Sequence, residues 1–330
     1  MTPNKNSPMK NNNITDGENA LSFGICSPLL RIFKGLTKYA RAWALLLAAV
    51  LAHGSASAAV DAAGRTIDPI QMPGASAVAT GSGAKIRVFF LGNSFTAAAG
   101  SQPYLLKELL KSRGYVPDIY SYNRGGEFLG GFWLKNEGNE LTVWERNQSN
   151  TLTGTAQTAY LEKISTDRKA TIGDLDRAIQ AGTWDVVVIQ TYVDAKEPGK
   201  YEFFKYVDLL AKKFRASSPN ARLVLYETWG SQKIPADQDA VSSNCYKAAR
   251  MNNLILAPAG DAFRVARKER PELTIHRTAD DDHPGLDGAY LAACAIFAAA
   301  TETSPVNLPS NLWILPSYDF PYTVGTPDAM

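Results

Sequence analysis

Residues 85–100 read KIRVFFLGNSFTAAAG, and the fold is decided there. From Ile86 to Leu91 five of six residues are apolar, and most of them are β-branched or aromatic. A run that is apolar on both alternating faces suits a strand covered on both sides, as in a parallel sheet flanked by helices. Gly92 lets the chain turn sharply with no side chain in the way. A small-residue segment and then a helical pattern follow. Ser94 therefore stands at the carboxyl end of a parallel strand, near the start of a helix. In open α/β sheets that edge is where ligands bind. A hydroxyl there can serve as a nucleophile, although the commoner reading of such a serine is a helix cap or a turn.

Working outward, the same alternation recurs. Pro103 to Arg113 has the apolar stripe of an amphipathic helix, closed by Gly114, and Asp118 to Tyr122 fits a short strand. Asn123 to Asn139 is rich in glycine among Phe128, Phe132 and Trp133, and reads as a loop whose backbone can approach a ligand closely. Leu141 to Thr171 has weak periodicity, with a short helix near 158–164, and reads as an insertion covering one edge of the site. Further strands are expected at Asp185–Gln190, Ala221–Trp229 and Leu254–Ala259, with helices at 171–181, 200–216, 236–251, 261–269 and 286–300. Strands alternating with helices imply a three-layer α/β/α fold with a mostly parallel sheet, in one domain over residues 85–308. Residues 59–84, rich in Ala, Gly and Ser, read as a linker, and 309–330 as a C-terminal surface tail. No GxGxxG follows any strand, so a dinucleotide fold has no support.

The beginning of the chain differs from the rest. Its first twenty residues are polar and Asn-rich and read as a disordered leader. Arg31, Lys34, Lys38 and Arg41 then precede the apolar run Ala42–Ala52, and Ala56-Ser57-Ala58 matches a small-x-small cleavage pattern. Residues 1–58 thus read as a leader plus a secretory signal peptide cleaved after Ala58, implying a secreted or periplasmic protein. The apolar run is short for a membrane span, so no stable membrane insertion is expected after cleavage. Six of the 34 basic and two of the 32 acidic residues lie before Ala59, which leaves a formal charge of −2 on the remainder. With no basic stripe, nucleic acid is not an expected partner. Cys245 and Cys294 can pair in an oxidising compartment, yet both fall in helical patterns that equally suit buried free thiols. Neither cysteine nor histidine has zinc-ligand spacing, so no metal and no cofactor is expected.

Histidine is scarce. Of three in the chain, His53 lies in the signal segment, leaving His276 and His283 as candidate bases. His276 has no acid at a useful offset and reads as a surface residue. His283 lies in the loop Thr278-Ala279-Asp280-Asp281-Asp282-His283-Pro284-Gly285. Pro284 biases His283 toward an extended conformation. Asp280, three residues earlier, can accept the Nδ1 proton, hold the tautomer and leave Nε2 free to take a proton from a serine. A solvated acidic turn is the plain alternative for the three aspartates.

The block LGNSFT after a buried strand, with D-x-x-H near the end, resembles the SGNH or GDSL hydrolases, and in particular the branch whose first block reads LGNSFT. The segments Asp261-Ala262-Phe263 and HPGLDGAYLAA also look like that branch. The resemblance spans about 85–308 and implies a flavodoxin-like α/β/α fold and a serine esterase. It makes Ser94 the nucleophile, His283 the general base and acid, and Asp280 the orienter. The family's oxyanion hole has three donors: the nucleophile's own N–H, a glycine N–H and an asparagine amide. The first two fall on Ser94 and Gly126, with Gly125 beside it. The asparagine block G-x-N-D is absent, and Gln190, at the matching strand end, carries the same amide on a longer stem and takes the third place. Its alternative is a strand-end residue bonding nearby backbone.

The implied reaction is hydrolysis of carboxylic esters through an acyl-serine. The implied substrate is a small-molecule or polysaccharide ester, with small acyl groups such as acetyl on carbohydrate. Phe128 and Trp133 in the glycine-rich segment can stack on sugar rings, or pack that segment onto the domain. Two other readings stay open: an O-acyltransferase using the same triad, and a catalytically weak carbohydrate-binding protein on the hydrolase scaffold.

Overall fold

The computed structural model describes residues 83–310 and 312, apart from 100, 139, 170, 279 and 280, together with 59–60 and 66–67. The leader, the signal segment and most of the tail therefore lie outside the described residues. Within the expected linker, Ala59–Val60 pairs antiparallel with Thr66–Ile67.

Five parallel strands form the sheet: β1 (Lys85–Gly92), β2 (Val116–Asn123), β3 (Val186–Gln190), β4 (Arg222–Glu227) and β5 (Ile255–Pro258). Their spatial order is β2-β1-β3-β4-β5. Val88 of β1 lies opposite Ile119 of β2 on one side and Val186 of β3 on the other. The chain leaves β1 toward one edge and later returns to build the other, so β1 and β3 flank the topological switch point where open α/β sheets bind ligands.

Side chains alternate between two cores, as the period of two requires. Ile86, Val88 and Phe90, with Val186, Val188, Val224 and Tyr226, face one apolar cluster. Helices α2 (Gln102–Ser112), α10 (Ala259–Glu269) and α11 (Leu286–Thr301) close that face. Phe89 and Leu91, with Val187, Ile189, Leu223 and Leu225, face the other. Helices α3 (Leu129–Glu137), α6 (Asp174–Gln180), α8 (Phe203–Ser217) and α9 (Asp237–Asn252) cover it. This is a three-layer α/β/α fold. Cys245 and Cys294 are both free and buried, and they belong to opposite cores, so the sheet separates them.

Three segments depart from the sequence reading. The glycine-rich stretch 123–139 contains α3, because its glycines serve packing: a Cβ at Gly130 would lie 2.7 Å from the Tyr206 ring. Residues 141–171 hold two helices, α4 (Val143–Asn150) and α5 (Gly154–Lys169). The first opens with a reciprocal capping box between Thr142 and Glu145. The expected loop 274–285 forms an antiparallel pair, β6 (His276–Thr278) with β7 (Asp281–Pro284). Two short helices complete the domain, α1 (Ser94–Ala97) and α7 (Val193–Lys196). Among the described residues no helix is long and apolar enough to cross a membrane.

Candidate active site

The Ser94 turn follows directly from β1. Gly92 is required because a Cβ there would collide with Thr96 Oγ1 and Asn123 Oδ1. Asn93 then takes an extended conformation (φ −124°, ψ −154°), and its Oδ1 accepts the Phe95 N–H at 3.0 Å. Asn93, not Ser94, is thus the cap of α1. Ser94 is the first helical residue, half-buried at the strand's carboxyl edge.

Asn93 joins three segments. Its backbone N–H donates to Gln190 Oε1 at 3.0 Å, and its Nδ2 donates to the Glu127 carbonyl at 2.7 Å. Gln190 in turn donates from Nε2 to Asn93 Oδ1 at 2.6 Å and to the Thr191 carbonyl at 3.1 Å. Thr96 Oγ1 donates to Gln190 Oε1 as well. A backbone N–H must donate, so the Asn93 bond fixes which end of the amide is oxygen. Both amide hydrogens of Gln190 are engaged. The expectation that Gln190 supplies the third oxyanion donor is therefore corrected: it is a buried brace between β3 and the Ser94 turn.

The Gly126 turn is held beside it. Arg124 N–H donates to the Gly92 carbonyl at 3.0 Å, and Glu127 N–H closes a turn onto the Arg124 carbonyl at 3.2 Å. Gly126 sits in that turn at φ +67°, a conformation glycine adopts without a Cβ penalty. It is exposed, and neither its N–H nor that of Ser94 meets an acceptor among the described residues. Asp194, fully buried, fixes the far end by accepting from the N–H groups of Leu129 at 3.0 Å, Tyr192 at 2.8 Å and Ala195 at 2.9 Å. Burial raises its carboxyl pKa although those bonds favour the anion.

Phe128 and Trp133 both take part in packing, the alternative given for them from the sequence. Phe128 is buried with its ring 4.8 Å from that of Tyr201. Trp133 rests on the α3 side core, with Lys213 Nζ 4.7 Å above its ring.

His283 arrives on β7. Its ring meets the edge of Phe95, the neighbour of Ser94, at a centroid separation of 5.1 Å and 74°. Asp282 turns the other way: its Oδ1 accepts from Gln232 N–H at 2.9 Å and Ser231 Oγ at 3.2 Å. Asp280 lies outside the described residues. His276 is buried against Phe263 (5.6 Å, 72°), not on the surface as the sequence implied. Among the described residues no group of three or more His, Cys, Asp or Glu side chains can hold a metal ion.

His283 thus meets the residue after Ser94 at the carboxyl end of β1, in a sheet of the expected order. By its motifs and strand order the chain is similar to the SGNH/GDSL hydrolases. No family model matches it, and a search of curated proteins finds no significant match. Among solved structures it is similar to a protein from Slackia heliotrinireducens described as a candidate SGNH hydrolase (23% identity, 66% of this chain and 99% of that one, TM-score 0.45). It is also similar to a DUF4886 family protein from Bacteroides uniformis (20%, 68% and 86%, TM-score 0.48). A third is a mutant acetyl-xylooligosaccharide esterase from Geobacillus (16%, 67% and 95%, TM-score 0.41).

Not every polar residue at the carboxyl ends of the strands faces the site. Glu227, at the end of β4, is fully buried. Its Oε1 accepts from Gln238 Nε2 and Ser242 Oγ, each at 2.7 Å, and Asp261 Oδ1 lies 3.0 Å from the same hydroxyl. Burial first, and the Asp261 charge second, push the Glu227 carboxyl well above its usual range. A raised native pKa favours folding fully below the unfolded value and loses that contribution as pH rises through the native value. Glu227→Gln keeps the acceptor and cannot ionise. Its melting temperature relative to the parent is expected to rise as pH increases from about 4.5. The slope corresponds to at most about 1.4 kcal/mol per pH unit for one proton. Thermal melts of both proteins from that pH upward check it, and a flat difference refutes a neutral buried Glu227.

Proposed function

We propose that this chain is an exported serine esterase that removes small acyl groups, such as acetyl, from carbohydrate. The observation that carries the chemistry is the His283 ring seated against Phe95, next to Ser94, with the Ser94 and Gly126 N–H groups unengaged at the same edge.

Ser94 Oγ attacks the ester carbonyl carbon while His283 Nε2 takes the hydroxyl proton, and the carbonyl oxygen becomes an oxyanion. The Ser94 and Gly126 N–H groups donate to that oxyanion. One preorganised donor of this kind is typically worth about 3 kcal/mol in the transition state. The intermediate collapses, the C–O bond to the alcohol breaks, and His283 returns the proton to the leaving oxygen. Water, deprotonated by His283, then attacks the acyl-serine and releases the acid. Asp280 is assigned to Nδ1 of His283 on the D-x-x-H spacing. Export is supported by the basic flank, apolar run and small-residue site before Ala59.

A fluorophosphonate probe tests the assignment. Mass spectrometry is expected to find one adduct, on the peptide that contains Ser94. Hydrolysis of acetylated xylan or other acetyl glycans is expected to exceed that of long-chain acyl esters. An adduct elsewhere, or none with turnover intact, would refute the serine mechanism.

A further inference from the structure

We propose that Trp229 is a positioning residue that sets the approach of His283 to Ser94, by gripping the nucleophile helix with its ring and the histidine strand with its indole N–H. The inference rests on the reading of Ser94 and His283 as nucleophile and base. Among the described residues no backbone hydrogen bond joins β7 to the Ser94 turn: β1 lies in the parallel sheet, whereas β7 belongs to a separate two-stranded pair. A side chain that grips both elements adds to the direct Phe95–His283 contact in holding their separation, and attack geometry tolerates little error.

Trp229 follows β4 and is buried, at 4% exposure. Its ring stacks on Phe95 at 5.1 Å and 7°, and on Phe263 at 3.9 Å and 3°. Phe95 is the residue after Ser94. The Trp229 Nε1–H donates to the Asp282 carbonyl at 2.7 Å. That carbonyl belongs to the peptide that joins Asp282 to His283, so the bond sets the plane from which the imidazole departs. One rigid side chain therefore spans from the residue after the nucleophile to the peptide before the base.

The loop that carries Trp229 is tied down on both sides. Asp282 Oδ1 receives the Gln232 N–H, and Gln232 Nε2 donates to the Thr278 carbonyl at 2.6 Å. From below, Gly230 N–H donates to Gln238 Oε1 at 2.7 Å. Successive side chains of a strand point to opposite faces. Asp282 thus holds the loop while His283, next to it, faces Phe95.

The decisive variant is Trp229→Phe in the full chain, which keeps an aromatic ring for the stack but removes the indole donor together with part of the buried ring volume, so a lower melting temperature accompanies it. With p-nitrophenyl acetate, kcat is expected to fall about tenfold. That lies between the roughly fivefold worth of one net hydrogen bond and the ~100-fold cost of a misplacement of about 1 Å. KM is expected to stay within about twofold, since the indole touches no substrate. A readout independent of turnover accompanies it. The chain has only three histidines, so imidazole C–H signals are few, and His283→Gln assigns the one of interest. In Trp229→Phe the His283 signals are expected to move, because the ring leaves its place at the Phe95 edge; the His276 ring, 6.4 Å from that of Trp229, responds directly to the lost indole and serves as no control. Unchanged His283 signals, or an unchanged kcat beside a lowered melting temperature, would overturn the proposal. If the parent chain lacks esterase activity the function fails instead, and the His283 signals still decide whether Trp229 places that ring.

Discussion

Ser94→Ala is expected to lower kcat for p-nitrophenyl acetate by about 10⁴-fold or more, while the melting temperature stays within about 2 °C of the parent. The size of the loss follows from the chemistry: without the hydroxyl no acyl-enzyme forms, and only the N–H donors and binding remain to assist water. The unchanged stability follows from the turn. A serine after a strand is most often a cap, and removing a cap costs about 1 kcal/mol. Here the cap is the Asn93 side chain, and Ser94 is the first helical residue, where alanine is well tolerated. Activity and stability therefore separate the two readings of Ser94 in one variant. Equal rates for variant and parent would remove the nucleophile; a large fall in melting temperature with modest loss of rate would return Ser94 to a structural role.

Asn93→Ala is expected to reduce kcat by about 10²-fold and to destabilise the protein by about 2–4 kcal/mol. The side chain accepts from Phe95 N–H and Gln190 Nε2 and donates to the Glu127 carbonyl, all in a buried setting. Alanine leaves one Gln190 Nε2 hydrogen, the Phe95 N–H and the Glu127 carbonyl without the partner each now has, and a buried orphan costs about 1–3 kcal/mol. The kinetic effect has another origin. Asn93 links the turn that offers the Ser94 N–H to the turn that offers the Gly126 N–H, and the oxyanion needs both at a fixed separation. Asn93→Asp keeps the Oδ1 acceptor but sets a carboxylate oxygen against the Glu127 carbonyl, so it is expected to lie below the parent in both measures. Urea midpoints and steady-state kinetics on the two variants test the argument. If Asn93→Ala kept full kcat, the shared oxyanion edge would be wrong.

Much of the fold was legible because buried parallel strands have a strong signature. Apart from Arg87, Ile86–Leu91 and Val186–Ile189 are apolar and buried on both faces. The strand Val116–Asn123 was read two residues short at its start and one at its end, because half of it lies at the sheet edge with exposed side chains. Helix α3 was hidden by Gly130 and Gly131, which count against a helix on propensity alone. Tertiary contacts override that cost: Gly130 gives room to the Tyr206 ring and Gly131 to the Glu127 carboxyl. The pair β6–β7 was hidden by its charge, since consecutive aspartates resemble a solvated turn until one of them, Asp282, is seen bonded to the loop after β4.

By itself the sequence determined the layer order, the identity of a serine at a strand's carboxyl end and the one histidine with an acid at a useful offset. Periodicity and short-range spacing suffice for those, because each depends on neighbours along the chain. Only the tertiary structure decided what each polar group does. Gln190 has the chemistry of an oxyanion donor, but its amide is engaged by Asn93 and Thr191, contacts that no local pattern encodes. Trp229 read as the end of a strand, and became a link between nucleophile and base only because β4 and β7 meet beside α1. Hydrogen bonds saturate and act over about 3 Å, so a residue's role is fixed by which groups reach it first, and that is a property of the assembled sheet.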